Sequence, residues 1–191
     1  MNRKEPIYSG KYYHVYNRGN RRQSIFGDKS DYLSCITKIQ VASSTYKVHV
    51  VVYTLMPNHF HFVLVQKDGG SIRRFMNSVE TSMAKRFDVK YAQVGHLFQS
   101  RYRYNVIESA TSLLVVARYI HLNPVEAGLV RHAEDWPYSD FGTWVSRANQ
   151  GEGVLHPSMN SEEGRLLQES LPCSPSEYVA FVRSAQCIGD L

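Results

Sequence analysis

Residues 56–65 read Met-Pro-Asn-His-Phe-His-Phe-Val-Leu-Val. The two-residue period of a β-strand puts His59, His61, Val63 and Val65 on one face and Phe60, Phe62 and Leu64 on the other. Two imidazoles at i and i+2 then project side by side, just past a Pro57-Asn58 turn. Neutral imidazole is the commonest protein metal ligand, and this spacing lets two rings share one ion. A bare His-x-His pair equally describes half-buried strand histidines with hydrogen-bond partners. A second set stands at Tyr119 and Asn123, four residues apart and therefore on one helical face. A carboxamide oxygen can complete a metal site beside two imidazoles. A phenol one turn away can attack a phosphorus atom that the metal polarises. On residue types alone, however, Tyr119 is one of 13 tyrosines, and Asn123 is equally a helix cap.

The elements that must position these groups follow from periodicity. Lys11–Asn17 reads as a first strand, broken by the basic loop Arg18-Gly19-Asn20-Arg21-Arg22. Such a loop lets backbone and guanidinium groups approach phosphates or base edges; the plainer reading is a polar surface loop. Asp28 is placed as an N-cap before a helix to about Ser43. Tyr46–Met56 forms a second strand, with Val48, Val50 and Val52 on one face and Val51 and Tyr53 on the other. The His-x-His stretch is the third strand. Helical spacing of Ile72, Phe75, Met76, Val79, Met83 and Phe87 predicts a second helix over about 71–87. Leu97–Ile107 reads as a fourth strand with Gln99, Arg101 and Arg103 on one face. That face suits contact with nucleic acid, and an exposed edge strand would look the same.

The order β-α-β-β-α-β predicts an α+β, ferredoxin-like fold. It implies a four-stranded antiparallel sheet with helices on one face and the His-x-His strand in its interior. A third helix, from Thr111, carries Tyr119 after the fourth strand. Pro124 disfavours the helical region for Asn123, so this helix is expected to stop there and a short one to follow. Residues 1–146 form the expected catalytic-type domain. Residues 147–191 form a C-terminal extension of Gly-, Ser-, Pro- and Glu-rich linker and a last short helix.

Bulk numbers narrow the function class. Residues 1–105 hold 17 Lys/Arg against six Asp/Glu, whereas residues 106–191 are acidic, with five against 11. A basic first half suggests a polyanionic partner. No apolar run of 18 or more residues exists, so no transmembrane helix is expected. Cys35, Cys173 and Cys187 are too few and scattered for a disulfide framework, which points to free cytosolic thiols. No GxxxxGK[ST] loop is present, which fits a reaction without ATP.

Several ordered motifs together resemble a known family. His59-Phe60-His61 matches the His-hydrophobic-His signature of the HUH endonucleases. RYIHLNPVEAGLV (118–130) is similar to the tyrosine motif of single-tyrosine HUH transposases, above all the REP-associated tyrosine transposases of the IS200-like superfamily. RGNRRQSIF, MPNHFHFVL, GHLFQSRYRYNVIES and EDWPYSDF extend the resemblance from about Tyr12 to Trp144. It implies that His59, His61 and Asn123 hold Mg²⁺ or Mn²⁺ and that Tyr119 is the nucleophile. More loosely, it implies DNA contacts for Arg18, Asn20, Arg21, Arg22, Gln99, Arg101 and Arg103. His121 and Glu126 stand where relatives often have an acidic and a basic residue.

The implied activity is cleavage and strand transfer of single-stranded DNA at hairpins, through a 5′-phosphotyrosine. No nucleotide cofactor and no membrane enter it. A monomer is favoured over a homodimer, working in the bacterial cytoplasm on the nucleoid. The alternative is a catalytically silent DNA- or RNA-binding module of the same fold. Such a module has no need of the His59, His61, Tyr119 and Asn123 set.

Overall fold

The computed structural model describes residues 6–150 and 171–186. Strands β1 (Tyr12–Arg18), β2 (Val48–Met56), β3 (His59–Gln66) and β4 (Arg103–Ile107) form one antiparallel sheet in the order β2-β3-β1-β4. Helices α1 (Lys29–Tyr46) and α2 (Ile72–Tyr91) complete the βαββαβ order. This is the ferredoxin-like arrangement, and β3 is an inner strand as the hairpin order implies.

Alternation along β3 decides which side is which. Phe60, Phe62 and Leu64 pack with Phe75, Met76 and Val79 of α2 and Ile39 of α1. Val63 faces the opposite side with Val51, Val52 and Ile107. That side is covered too, by α3 (Ala110–Glu126), α4 (Phe141–Gln150) and α5 (Pro175–Gln186). Helices on one face thus describes α1 and α2 only. The expected boundary after residue 146 falls inside α4. Tyr178, Val179 and Val182 of the expected extension are buried in the same core as α3. Residues 151–170 of the expected linker, and Cys187, lie outside the described residues.

Local chemistry sets the element ends. Asp28 caps α1, accepting from the Ser30 and Asp31 amides, while Asp31 returns a bond to the Asp28 amide. Asp31 also takes Arg86 and Lys90 of α2, welding the start of α1 to the end of α2. A bulge in β2 between Val50 and Val52 resets the alternation. Val51 and Val52 therefore enter the same core, and Thr54 and Met56 come to face the histidine side.

Two expectations are corrected. The fourth strand begins at Arg103 rather than Leu97. Residues 97–99 instead lie against the β1 end, through Asn20 N–H to the Leu97 carbonyl and Gln99 N–H to the Arg18 carbonyl. The Asn17 amide then ties down the Ser100 carbonyl, so residues 100–102 leave the ladder. The tyrosine helix does not stop at Asn123 but runs through Pro124 to Glu126. Burial of Ile120, Leu122 and Pro124 holds it helical. The Asn123 side chain donates to the Tyr119 carbonyl at 2.7 Å, beside the Ile120 carbonyl that proline leaves without its usual donor. Beyond β2, residues 138–140 run along its outer edge: the Leu55 amide bonds to the Tyr138 carbonyl and the Asp140 amide to the Tyr53 carbonyl.

Candidate functional site

Directly opposed residues in an antiparallel ladder share a face. Arg18 stands opposite His59, Tyr16 opposite His61, and His14 opposite Val63. On the other side of β1, Arg103 stands opposite Tyr16 and Asn105 opposite His14. The sheet thus gathers both histidines, two arginines, His14 and Tyr16 on one face. Across it lies α3, anchored by Leu113, Ala117 and Ile120 in the core beneath. Ile120 points inward, which leaves Tyr119, 42% exposed, at the mouth of a cavity of about 640 Å³. The Tyr119 ring lies 5.6 Å from the His61 ring and 6.3 Å from that of His14, centroid to centroid.

Each imidazole presents Nδ1 to a neighbouring side chain. The Nδ1 of His59 lies 2.6 Å from Asn58 Oδ1, so in the neutral ring Nδ1 carries the proton and Nε2 the lone pair. The Nδ1 of His61 lies 2.9 Å from His14 Nε2. Burial depresses the pKa of His59; a hydrogen bond with Asn123 opposes this, and Arg18 adds to it. Burial pushes His61 down to about 3, helped by His14, His59 and Arg18. Both rings are therefore neutral at pH 7, the form that ligates metals. Asn123 is buried; its amide nitrogen donates to the Tyr119 carbonyl and its carboxamide also hydrogen-bonds with His59, which places it beside the histidine pair. Among the described residues no three His, Cys, Asp or Glu side chains are grouped to hold a metal ion. Two neutral imidazoles and a carboxamide oxygen could hold a divalent metal ion, and imidazole donors fit Mn²⁺ better than Mg²⁺.

Of the residues singled out from the sequence, His59, His61, Tyr119, Asn123, Arg18, Gln99 and Arg103 all line this cavity. Asn20, Arg21, Arg22 and Arg101 lie outside it. Arg21 and Arg22 are exposed and take left-handed backbone, at φ 51° and 62°. Hydrogen bonds fix their loop: Gly19 N–H to the Asn58 carbonyl, Asn58 Nδ2 to the Arg22 carbonyl and Ile25 N–H to the Pro57 carbonyl. Gly19 is required here, because a Cβ would meet the Gln23 carbonyl oxygen at 2.2 Å. The same turn that carries the arginines thus packs against the turn that presents His59. His14, Tyr16 and Asn105 line the cavity without having been singled out. The alternation of His14, Tyr16 and Arg18 along β1 was the available signal, but it acquires meaning only through the β1–β3 register.

The family model described as "Transposase IS200 like" matches residues 7–123. No curated protein matches the chain. Among solved structures, it is similar to a REP-associated tyrosine transposase bound to a REP hairpin. That match has 19% identity and a TM-score of 0.64, and covers 86% of this chain and 96% of the other. A candidate transposase of Deinococcus radiodurans R1 gives 18% identity and a TM-score of 0.44, over 62% and 95% of the two chains. The tRNA(His) guanylyltransferase of Saccharomyces cerevisiae gives 10% and 0.47, over 93% and 80%.

Proposed function

This chain belongs to the IS200-like transposase family, and from that premise we propose that it cuts and rejoins single-stranded DNA at hairpin sequences in a metal-dependent reaction with Tyr119 as nucleophile. The observation that carries the reading is the meeting of Tyr119, at the cavity mouth, with two neutral imidazoles and the Asn123 carboxamide. Held by His59, His61 and Asn123, Mg²⁺ or Mn²⁺ would supply positive charge beside the scissile phosphate. The Tyr119 oxygen bonds to phosphorus as the bond from phosphorus to the 3′ oxygen breaks. The phenolic proton leaves Tyr119, and the departing oxygen takes one up. The products are a 5′-phosphotyrosine and a free 3′-OH. Attack by another 3′-OH reverses the step and joins strands. The phosphodiester energy stays in the covalent bond, so no nucleotide cofactor is consumed.

Arg18 and Arg103 line the cavity from β1 and β4 and serve the DNA backbone, while Gln99 offers both a donor and an acceptor to a base edge. Asn20, Arg21, Arg22 and Arg101, outside the cavity, serve the flanking nucleotides. The hairpin substrate is inferred from the similarity to the transposase whose structure holds a REP hairpin. Tyr119, His59, His61 and Asn123 meet within one chain, which supports a monomer. The proposed place of action is the bacterial cytoplasm, on the nucleoid. Among the described residues no helix is long and apolar enough to cross a membrane.

A covalent-adduct assay tests the reading. Labelled single-stranded hairpin DNA is incubated with the protein and Mg²⁺ or Mn²⁺ and run on a denaturing gel. The expected result is a metal-dependent adduct that is lost in both Tyr119→Phe and His61→Ala. Binding without an adduct would leave a silent DNA-binding module. An adduct that survives Tyr119→Phe would assign the nucleophile elsewhere.

A further inference from the structure

His14 has no part in the reaction just described, yet its Nε2 lies 2.9 Å from Nδ1 of His61, a proposed metal ligand. The two rings are 28° from parallel, with centroids 5.1 Å apart. His14 is itself held in mid-strand, with Tyr16 tilted against it at 5.1 Å and Tyr119 edge-on at 6.3 Å. The partner of His61 is therefore a positioned group rather than a mobile one.

Two neutral imidazoles in such contact share one proton, and its location decides what His61 can do. If His14 donates, the single proton of neutral His61 must sit on Nε2, which closes that nitrogen to a ligand. If His14 accepts, the proton sits on His61 Nδ1 and Nε2 is bare. His59 faces no such choice, because Asn58 Oδ1 behind its Nδ1 can only accept.

Resting on the metal site of the preceding section, we propose that His14 is a positioning residue: it accepts the Nδ1 proton of His61 and so holds that ring, in orientation and tautomer, ready to ligate the ion through Nε2. Metal-bound histidines commonly donate their other N–H to an acceptor, which raises their basicity and fixes their orientation. What distinguishes this site is that the acceptor is a second imidazole, supplied by the neighbouring strand. The role is transmitted through His61, and His14 touches neither DNA nor ion.

The test is Mn²⁺ affinity of the full chain, read from the loss of the free-ion EPR signal, for wild type, His14→Phe and His14→Gln. The melting temperature of each metal-free protein is measured alongside. His14→Phe fills the space without an acceptor and is expected to bind Mn²⁺ roughly 10–100-fold more weakly while remaining folded. His14→Gln restores an acceptor oxygen and is expected to recover most of the affinity. Nitrogen-15 NMR of the Mg²⁺-saturated wild type, which needs no variant, should show the His61 proton on Nδ1. Wild-type affinity in a folded His14→Phe, no recovery in a folded His14→Gln, or a His61 proton on Nε2 in the Mg²⁺ form would each overturn the proposal. A wild-type protein that binds no Mn²⁺ would overturn the metal site itself, and this role with it.

Discussion

Thr54 stands directly opposite His61 on β2 and is fully buried. Its Oγ1 finds no hydrogen-bond partner among the described residues. A buried hydroxyl without a partner carries its desolvation cost uncompensated, whereas valine of nearly the same shape carries none. Thr54→Val is therefore expected to stabilise the fold by about 1 kcal/mol, raising the Tm by roughly 2–4 °C. Thermal denaturation measures it, and Mn²⁺ binding should be unchanged. At this scale much of the site was legible beforehand. His59 and His61 are visible because a strand has period two, and Tyr119 and Asn123 because a helix brings i and i+4 together. His14 was not, because its role depends on which residue of β3 it meets, and no periodicity within β1 carries that register. Arg101 illustrates the converse. Spacing put it beside Gln99 and Arg103, but residues 100–102 leave the ladder and take Arg101 out of the cavity.

Beyond the backbone bonds of residues 97–99, a buried side chain also ties the irregular segment before β4 to the sheet. Asn17 donates both to the Ser100 carbonyl, at 3.0 Å, and to Glu80 Oε1 on α2, at 2.7 Å. Burial pushes the Glu80 carboxyl up to about 7 from an ordinary 4.5, against a smaller opposing effect of the Asn17 bond. The folded chain thus holds a proton that the unfolded chain releases between these values. Stability from this source is complete below pH 4.5, falls as pH rises and is lost above about 7. The loss is on the order of 2–3 kcal/mol. Glu80→Gln should flatten this part of the dependence, so denaturant titrations at pH 5 and pH 8 would show a smaller difference for the variant. A pH difference equal to wild type would show that Glu80 is not its source. Among the elements, strands and helices with clean periodicity were legible to within a few residues. Those that differed did so for tertiary reasons. Pro124 was expected to end its helix, and the core under Ile120 and Leu122 outweighs that local preference. The bulge at Val51 falls within the run Val50-Val51-Val52, where no glycine or proline marks the extra residue.

The described residues form one sheet between two cores, and a buried polar chain ties α5 to the tyrosine helix. The Tyr178 hydroxyl lies 2.7 Å from His121 Nδ1, His121 Nε2 lies 3.0 Å from Asp140 Oδ1, and Trp144 Nε1 donates to Asp140 Oδ2. Asp140 Oδ1 also accepts from the Tyr53 amide of β2. Tyr178→Phe would leave the His121 ring short of one partner in a site closed to water. It is expected to cost about 1–2 kcal/mol, a fall in Tm of roughly 2–6 °C. An unchanged Tm would mean that the α5 contact contributes little to the global fold. This tie was beyond sequence reading, since Tyr178 stands 57 residues from His121 and composition alone made residues 147–176 a linker. The strip along β2 formed by residues 138–140 has a further consequence, for colloidal behaviour. A bare sheet border is a template on which further copies add strand by strand. Here one border is already occupied by the chain's own backbone, and the other is a five-residue strand that begins with an exposed arginine. Growth of that kind has no long flat row on which to start, so concentrating this protein should favour dispersion over fibrous aggregation.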